Sequence, residues 1–442
     1  MGLGPPGSSG VLRIGNIVIS EPSSTGNRHD RVVIVGGGVI GAACAYYLVR
    51  DGRHVTIVDR NEFGRGCSHG NCGFISPSHL LPLTTPGAIG TALRSLFSPT
   101  APFRIKPRLD PTLWWWLLQF GRRCSTGHML RNAGPIHEML KSSRRLFDEL
   151  FAAEPFQCDW ETRGLLFAFQ SLAGLQHHAE TAKLLHEQFG LAVERFDGAG
   201  LKQLEPTLKA GLAGGFLYPD DAHLRPDKLM SSWRSILLAK GVTIRDKCVV
   251  ERLIQDPNRT VALGTSDGDI PADAFVIATG AWTPQLNREL GCKVPIQPGK
   301  GYSITLSRPV QCPTYPMMFE EHRVAVTPFQ AGYRLGSTME FAGYDSTLDR
   351  RRLNYLREGA SHYLQESPTQ AVEEEWCGWR PMTYDSVPII GRSPGRRNVW
   401  IAAGHNMLGV SMSPATGLMI AEMIDGRPTS IQAEPYSLSR FG

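Results

Sequence analysis

Three glycines near the start of the chain have the spacing of a phosphate-binding turn. Gly36, Gly38 and Gly41 form the pattern G-x-G-x-x-G, and Asp59 follows 23 positions after Gly36. In such a turn the first glycine permits the tight bend, the second lets a pyrophosphate approach the backbone, and the third allows close helix packing. Amides at the helix start would bind the phosphate charge. Asp59 would accept hydrogen bonds from ribose hydroxyls, so the pattern predicts a dinucleotide without a 2′-phosphate and leaves NAD and FAD open.

The elements that must position these residues form one βαβ unit. An apolar run over 32–35 predicts a buried parallel strand, a helix is predicted over 39–50, and a second buried strand over 55–58 ends at Asp59. Because the glycines follow a strand and open a helix, an unrelated Gly-rich turn is a poor explanation.

The rest of the chain predicts more α/β structure around a region of different texture. Helices are predicted near 128–152, 173–188, 227–239 and 414–425. Strands are predicted near 164–169, 242–250, 274–278 and 398–402, and alternation within 296–341 indicates half-exposed strands. Ser413 is expected to cap the last helix, with Pro414 at its first position and Gly426 after its end.

Composition excludes several classes of protein. The 442 residues, 42% hydrophobic and 20% charged, are typical of a globular chain of about two domains. A net charge of +5 and the lack of a basic, aromatic-rich stripe argue against nucleic acid. Nine scattered cysteines without paired spacing favour free thiols in a reducing compartment over disulfides or a metal site.

Two further features concern location. No apolar stretch is long enough for a membrane-spanning helix. Residues 1–30, rich in Gly, Ser and Pro, are interpreted as a disordered leader. An organelle-targeting role is the alternative, because acidic residues are scarce there.

Four more segments carry motifs downstream of the glycine turn. They are GCSHGNCGFISP at 66–77, ADAFVIATGAW at 272–282, WCGWRPMTYD at 376–385 with PIIG at 388–391, and GHNMLG at 404–409. In this order they resemble the D-amino-acid oxidase superfamily, including its G-x-R-P segment and terminal G-H-x-x-x-G loop. The likeness is closest to the D-amino-acid dehydrogenase branch and extends to glycine and sarcosine oxidases.

The resemblance implies an α/β and α+β fold that binds FAD. A Rossmann-like FAD-binding domain is expected from the discontinuous segments 31–85, 206–295 and 375–442. An inserted substrate domain of β-sheet plus helices is expected from 86–205 and 296–374. Non-covalent FAD is favoured, because Cys377 lies near, but not in, a motif that aligns with the flavin-linking cysteine of the sarcosine-oxidase branch.

The motifs also assign cofactor contacts residue by residue. The expected contacts are Gly36, Gly38, Val39, Ile40, Gly41, Asp59, Arg60, Ser68, Asn71, Gly73, Val250, Gly280, Trp282, Gly404, His405, Leu408 and Gly409.

Candidate catalytic residues come from the same motifs. Arg380, the arginine of G-x-R-P, is expected to grip a substrate carboxylate with its fork, and a structural salt bridge is the alternative. His405 and the amides of 404–411 could stabilise negative charge near flavin N1, although a loop histidine can equally be structural. Tyr302 and Tyr384 are candidate pocket hydroxyls or ordinary packing. Arg334 is the second candidate for the carboxylate.

The reaction implied by the resemblance is oxidation of a carbon–nitrogen bond. A small amino acid, expected to be a D-amino acid, would pass hydride from its α-carbon to flavin N5 and become a 2-oxo acid, with quinone or oxygen as electron acceptor. Open alternatives are a glycine, sarcosine or cyclic imino acid oxidase or dehydrogenase, a non-catalytic flavin-fold subunit, a flavin domain acting on a nucleoside amine, and an NAD-linked dehydrogenase.

One apolar cluster leaves the location open. Trp114–Trp116 lie among Leu113, Leu117, Leu118 and Phe120, before Arg122 and Arg123. Such a stripe is either protein core or an aromatic, basic-edged patch that contacts a membrane and reaches quinone. The expected location is therefore cytoplasmic, with peripheral contact to the inner face of the membrane as an open possibility.

Overall fold

The computed structural model describes residues 30–90, 103–106, 108–256 and 259–442. The leader predicted for residues 1–30 therefore lies outside the described residues, apart from Asp30. Within the described ranges, no helix is both long and apolar enough to cross a bilayer.

The described strands are numbered in chain order as β1 (Arg31–Val35), β2 (His54–Val58), β3 (Phe74–Ile75), β4 (Phe103–Ile105), β5 (Leu165–Phe169), β6 (Glu194–Asp197), β7 (Gly214–Tyr218), β8 (Ala222–His223), β9 (Thr243–Arg245), β10 (Val250–Gln255), β11 (Thr260–Thr265), β12 (Gly268–Pro271), β13 (Ala274–Ile277), β14 (Ile296–Leu306), β15 (Met317–Phe319), β16 (Val324–Pro328), β17 (Tyr333–Phe341), β18 (Val372–Thr383), β19 (Ile389–Arg392) and β20 (Val399–Ala403). The α-helices are α1 (Val39–Arg50), α2 (Pro111–Arg122), α3 (Thr126–Ala153), α4 (Leu172–Phe189), α5 (Gly198–Leu204), α6 (Pro226–Ala239), α7 (Asn287–Leu290), α8 (Arg350–Ser361) and α9 (Gly409–Asp425). The helix predicted over 39–50 is confirmed, and α6 begins one residue before its prediction.

A six-stranded sheet carries the glycine turn. Its order is β19-β20-β13-β1-β2-β9, parallel except for the edge pair β19–β20. The side chains of β1 alternate between two buried layers, because Val32 and Ile34 join the helical core whereas Val33 and Val35 pack towards the sheet β10-β11-β12. The carboxyl ends of β1, β2 and β13 therefore meet at one edge, which is where α/β folds bind ligands.

Helices α1 and α9 cover one face of this sheet and lie against each other. Their backbones come so close that a Cβ added at Gly417 would lie 2.5 Å from the carbonyl carbon of Ala43. On its other side α9 is tied to α3, since the amide of Ala415 donates to Ser143 Oγ at 3.2 Å. The start of α9 is thus fixed beside the start of α1.

A second, nine-stranded sheet has the order β18-β14-β17-β16-β15-β5-β7-β6, with β4 paired to β17. β14 and β18 run antiparallel from the pair Ile296–Thr383 to the pair Leu306–Val372. α8 packs on one face of this sheet, and the opposite face is turned towards the six-stranded sheet. The mixed parallel and antiparallel architecture confirms the predicted fold class.

Membership of the sheets differs from the expected domain division in two places. β7 lies within 206–295, yet it pairs with β5 and β6 in the nine-stranded sheet. β18 crosses the expected boundary after residue 374 and carries Arg380 within the same sheet. Both strands are held by long-range pairing that local patterns do not reveal.

The last helix begins earlier than predicted. α9 starts at Gly409, so Pro414 lies inside the helix and Ser413 is not its cap. A proline lacks the N–H that would bond the carbonyl of Val410, four residues earlier. The hydroxyl of Ser413 donates to that carbonyl at 2.9 Å, so the helix continues through the proline.

Candidate active site

A cavity of about 1510 Å³ lies between the two sheets. Its wall combines the ends of β1 and β2, parts of the segment 66–79, the loop before α9, and one face of the nine-stranded sheet. Most ligand pockets occupy roughly 300–1,000 Å³. The cavity therefore has room for a dinucleotide and for a second, smaller ligand.

The glycine turn is built as a phosphate cradle. Gly36 has φ +112°, and a Cβ there would lie 2.5 Å from the carbonyl oxygen of Ala278. A Cβ at Gly41 would lie 1.9 Å from the carbonyl oxygen of Gly36. At Gly38 the nearest atom to an added Cβ is Ser68 Oγ at 3.5 Å, and the residue lines the cavity. The first and third glycines thus close the turn, whereas the second opens it to a ligand.

Asp59 lies at the end of β2, facing the same cavity. Its Oδ2 accepts from the amide of Gly37 at 2.7 Å and its Oδ1 from the amide of Asn61 at 2.8 Å. Burial raises the pKa of this carboxyl above its usual value, although those two amides oppose the rise. Both oxygens keep a second lone pair, which fits a carboxylate that binds ribose hydroxyls.

The segment 66–73 lies over the start of α1. Ser68 Oγ accepts from the amide of Val39 at 3.0 Å, and Asn71 Oδ1 accepts from the amide of Gly73 at 2.7 Å. Gly73 does not line the cavity, and a Cβ there would lie 1.9 Å from the carbonyl oxygen of Leu224. Gly73 therefore shapes the segment, while Ser68 and Asn71 face the cavity.

Four more of the predicted cofactor contacts lie at another part of the cavity wall. Val250, Gly280, Trp282 and Arg60 all line the cavity. The guanidinium of Arg60 lies 4.3 Å from the ring centre of Trp282. Trp282 also stacks on Tyr344 at 6.1 Å, which fixes its indole at the edge of the cavity.

The loop before α9 brings backbone amides to the cavity. Gly404 has φ +78°, and a Cβ there would lie 2.7 Å from Thr383 Cγ2, so this glycine shapes the loop. His405, Leu408 and Gly409 line the cavity, and α9 has no side-chain cap. The amides of its first turn are therefore suited to negative charge, as at other helix starts.

His405 is held in a neutral form. Burial lowers its pKa to about 3. Its Nε2 lies 3.0 Å from Thr416 Oγ1, whose own hydroxyl proton is directed to the carbonyl of Met412 at 2.9 Å. Thr416 then accepts from Nε2–H, which leaves Nδ1 as an acceptor. His405 fits a structural role better than donation to negative charge, and the helix amides remain as donors.

Arg380 extends across the neighbouring strand into the cavity wall. A Cβ at Gly301 would lie 2.3 Å from Arg380 Nη1 and 2.6 Å from Nη2. Nη1 donates to the carbonyl of Thr338 at 2.9 Å. Burial lowers the pKa of Arg380. The groups whose ionised form would oppose this are the thiols of Cys67 and Cys72.

This arginine lacks the salt bridge that was its structural alternative. Among the described residues, no Asp or Glu oxygen pairs with the Arg380 guanidinium. The thiols cannot neutralise it, because burial raises the pKa of Cys67 to about 11 and also raises that of Cys72. A half-buried cation in a cavity wall is stabilised when an anionic ligand replaces the missing counter-ion, so the site fits an anionic group such as a carboxylate.

Arg334 is not placed where the second candidate for the substrate carboxylate would have to be. Arg334 is fully buried and does not line the cavity. Its donors are taken by Thr305 Oγ1 and the carbonyls of His69 and Asn71, and it pairs with Asp227 and Glu374. Arg334 therefore holds the segment 66–73 on the sheet and is not free to bind a substrate carboxylate.

Neither tyrosine presents a free hydroxyl to the cavity. Tyr302 contributes to the wall, but its hydroxyl donates to Glu340 Oε1 at 2.5 Å in a buried bond. Tyr384 lies outside the cavity wall and packs against Trp115 and Trp116. The packing interpretation fits both residues.

Trp376 is a wall residue that sequence reasoning did not single out. Its indole lies between two glycines, since an added Cβ would be 2.1 Å from the ring at Gly70 and 2.0 Å at Gly378. The ring therefore joins the segment 66–73 to the nine-stranded sheet. The Trp-x-Gly spacing within β18 was visible in the sequence, but Gly70 is brought there only by the fold.

The donor set fits FAD. A flavin dinucleotide needs amides for its pyrophosphate, a carboxylate for its ribose and donors for its pyrimidine ring. The turn at 36–41, Asp59 and the start of α9 supply these three groups around one cavity. Within the described ranges, no cluster of His, Cys, Asp and Glu could hold a metal ion, and all nine cysteines are unpaired.

Comparison with known proteins agrees with this geometry. The family model described as "FAD dependent oxidoreductase" (DAO) matches residues 31–423. The D-amino acid dehydrogenase of Paramagnetospirillum magneticum is 34% identical over 420 residues, covering 93% of this chain and 99% of the relative. That of Methylobacterium nodulans is 34% identical over 424 residues, with the same shares. The crystal structure of glycine oxidase from Geobacillus kaustophilus superposes with a TM-score of 0.76 at 23% identity, covering 93% of this chain and 99% of that one.

Proposed function

This chain belongs to the DAO family of FAD-dependent oxidoreductases, and from that premise we propose that it oxidises a small D-amino acid to the 2-oxo acid. The family decides the choice that the glycine turn left open, because the cofactor is FAD and not NAD. The observation that carries the substrate class is Arg380, a guanidinium in the cavity wall that pairs with no carboxylate of the described residues.

The residues of the chain then have separable tasks. When bound, FAD accepts the hydride from the α-carbon. Arg380 holds the substrate carboxylate in a two-pronged hydrogen bond and so orients the α-hydrogen. Amides at the start of α9 stabilise negative charge near the pyrimidine ring. No side-chain base is required when the ammonium group of the substrate has first lost its proton to water. Hydride loss from the α-carbon of the neutral amine then gives an iminium, which water hydrolyses to the 2-oxo acid and ammonium.

An anaerobic substrate screen tests the proposal. Purified enzyme with its FAD is mixed with D- and L-alanine, glycine, sarcosine and both enantiomers of proline, and the loss of flavin absorption is followed. We expect D-alanine to bleach the flavin fastest. Faster bleaching by glycine, sarcosine or proline would select the alternative substrates. No bleaching by any amino acid would indicate a non-catalytic flavin-fold subunit.

Gly301 offers a test of how Arg380 is positioned. In Gly301→Ala the new Cβ would collide with the flexible end of the Arg380 side chain, so the guanidinium should move while the fold persists. We expect KM for the amino acid to rise by about tenfold or more, since one misplaced charged hydrogen bond is worth about 1.5–3 kcal/mol. Steady-state kinetics and thermal unfolding measure the two effects.

The matched control is Gly264→Ala. Its Cβ would likewise meet an arginine side chain, that of Arg252 at 2.8 Å, in the small sheet outside the cavity. Equal KM values for wild type and Gly301→Ala would mean that the Arg380 guanidinium does not contact the substrate.

The outer face of α2 supports a membrane-bound acceptor. Trp116 is buried, but Trp114, Trp115 and Leu118 are 48%, 51% and 52% exposed. Ile89, at 47%, adds to this face, and Arg122 follows it in the last turn. A half-exposed aromatic face with a basic edge suits an anionic lipid surface. The opposite side of α2 contributes Leu117 and Phe120 to the cavity, so a lipid-soluble quinone is the acceptor we favour.

Removing the two exposed indoles should weaken this contact. The double variant Trp114→Ser, Trp115→Ser is expected to bind anionic vesicles at least about tenfold more weakly. Burial of the apolar surface of each indole can contribute more than about 1 kcal/mol to the free energy of binding. Co-sedimentation with vesicles measures binding, and flavin reduction by the amino acid should be unchanged. Leu172→Ser, which removes a 66% exposed leucine from α4, is the control. Unaltered vesicle binding by the double variant would leave α2 without this role.

A further inference from the structure

The cavity continues beyond the candidate active site, across the face of the nine-stranded sheet. From Thr338 on β17, which holds Arg380, the wall passes Ala325 on β16, Met318 on β15 and Phe167 on β5. Neighbouring strands lie about 4.8 Å apart, so β5 is roughly 14 Å from β17. This distance exceeds the reach of a small amino acid bound at Arg380, so the far part of the cavity is not its side-chain pocket.

A group of rings lines the far part of the cavity. The ring centres of His79 and Phe167 lie 6.4 Å apart. Both residues line the cavity, together with His178 and Tyr218. His178 is fixed by its Nε2, 2.9 Å from the hydroxyl of Tyr218. The His79 side chain makes no hydrogen bond to the described residues, yet it faces Glu320 and Arg323. An imidazole with both nitrogens available inside a cavity can exchange hydrogen bonds with a passing polar molecule.

Beyond these rings the cavity reaches a polar surface. Its wall there comprises His177, Glu180 and Thr181 of α4, and Glu320 and Arg323 of the β15–β16 connection. His177, Glu180 and Arg323 are exposed to solvent. The cavity thus ends at an opening that carries both signs of charge.

The other end of the cavity differs in chemistry. Its wall there consists of Pro86, Ala88, Leu117 and Phe120, and Pro86 is exposed. This end adjoins the exposed indoles of α2. Among the described residues at this end, an apolar quinone would meet no charged side chain, whereas a zwitterionic amino acid would lose hydration without replacement.

We propose that the enzyme has two entrances, with the amino acid and its 2-oxo acid passing between α4 and the β15–β16 connection while the acceptor uses the apolar end beside α2. The inference rests on the proposed function. It adds a passage lined by His79 and by charged groups that replace the water around an ammonium and a carboxylate.

Narrowing the polar passage tests the inference. Thr181→Trp and, independently, Glu180→Trp place an indole in the opening. Lys183→Trp puts the same residue on the solvent side of α4, where Lys183 is 73% exposed, and serves as the control. In stopped-flow measurements, we expect both opening variants to lower the second-order rate constant of flavin reduction by D-alanine at least about tenfold. Reoxidation by a short-chain ubiquinone should be unchanged.

A ligand that cannot react separates passage from binding. 2-Methylalanine lacks an α-hydrogen, so its association and dissociation can be followed by tryptophan fluorescence without turnover. A narrowed passage slows both rates together and leaves Kd unchanged, whereas a damaged binding site raises Kd. Wild-type rates in both opening variants, or slower quinone reoxidation with normal reduction, would overturn the inference. Failure of wild-type enzyme to be reduced by any amino acid would instead refute the proposed function.

Discussion

Replacing Arg380 by alanine should lower kcat/KM for the amino acid about thirtyfold to a thousandfold, with the FAD content unchanged. Loss of a charge-assisted, two-pronged contact in a desolvated site costs about 2–4 kcal/mol. Arg380→Lys should be strongly impaired as well, because the ammonium keeps the charge but cannot form the parallel pair of bonds. Flavin reduction rates against substrate concentration, each at measured cofactor occupancy, give the comparison.

The expected fall in kcat/KM can be assigned to substrate binding because the Arg380 side chain contributes few contacts to the fold. Among the described residues, its side chain donates one hydrogen bond, to the carbonyl of Thr338, so the fold should tolerate the change. The control variant is Arg252→Ala, which also removes an arginine side chain. Arg252 lies on β10, is exposed to solvent and does not line the cavity. If both Arg380 variants reduced FAD with wild-type affinity and rate, the carboxylate would have to be bound by another group, and Arg334 could not be that group.

Replacing Gly38 by leucine should yield largely cofactor-free protein. Gly38 has φ −76°, which leucine adopts without strain, so the backbone is not the obstacle. The side chain would project into the space that the cradle leaves for pyrophosphate. An overpacked contact costs about 1–3 kcal/mol, which raises the Kd for FAD by roughly fivefold to 150-fold. Absorbance ratios after gel filtration and titration of apoprotein with FAD measure the loss.

Gly38→Ala is the control for this prediction. A single methyl group there meets no protein atom closer than Ser68 Oγ at 3.5 Å, so the fold should be kept and FAD binding should weaken less than in Gly38→Leu. The contrasting variant is Gly41→Ala, whose Cβ would lie 1.9 Å from the carbonyl of Gly36 and should disturb the turn itself. Full FAD occupancy in Gly38→Leu would show that the pyrophosphate is not placed on this turn.

Features confined to one stretch of chain could be predicted from the sequence. The unit β1–α1–β2, from Arg31 to Val58, depends on apolar runs and glycines within about 30 residues of each other, and the structure has it as predicted. Arg380 was found through the resemblance of its segment to a known motif. Its task stays a prediction until the variants are measured.

Features that depend on distant pairing could not be predicted. The requirement for glycine at 301 arises because β18 pairs with β14 and lays Arg380 across it. Arg334 looked available in the sequence, but the fold brings Asp227, Glu374 and two carbonyls of the segment 66–73 around it. The prediction that the last helix begins at Ser413 and Pro414 was wrong for a local reason. The hydroxyl of Ser413 donates to the carbonyl of Val410 in place of the amide that Pro414 lacks, so the helix continues through the proline. For Gly301 and Arg334 the deciding partner came from a distant contact that spacing alone does not encode.

The order of strands in the six-stranded sheet has a consequence for biosynthesis. β1 pairs with β2 at once, but its other neighbour, β13, begins at Ala274, and β20 and α9 come only after residue 398. At translation rates of about 5–20 residues per second, tens of seconds pass between the synthesis of β1 and that of β13. During this time one edge of the apolar strand β1 stays unpaired. The nascent chain should therefore depend on chaperones during that interval. Cofactor insertion should follow synthesis of the segment beyond residue 409, since the start of α9 is part of the cofactor site.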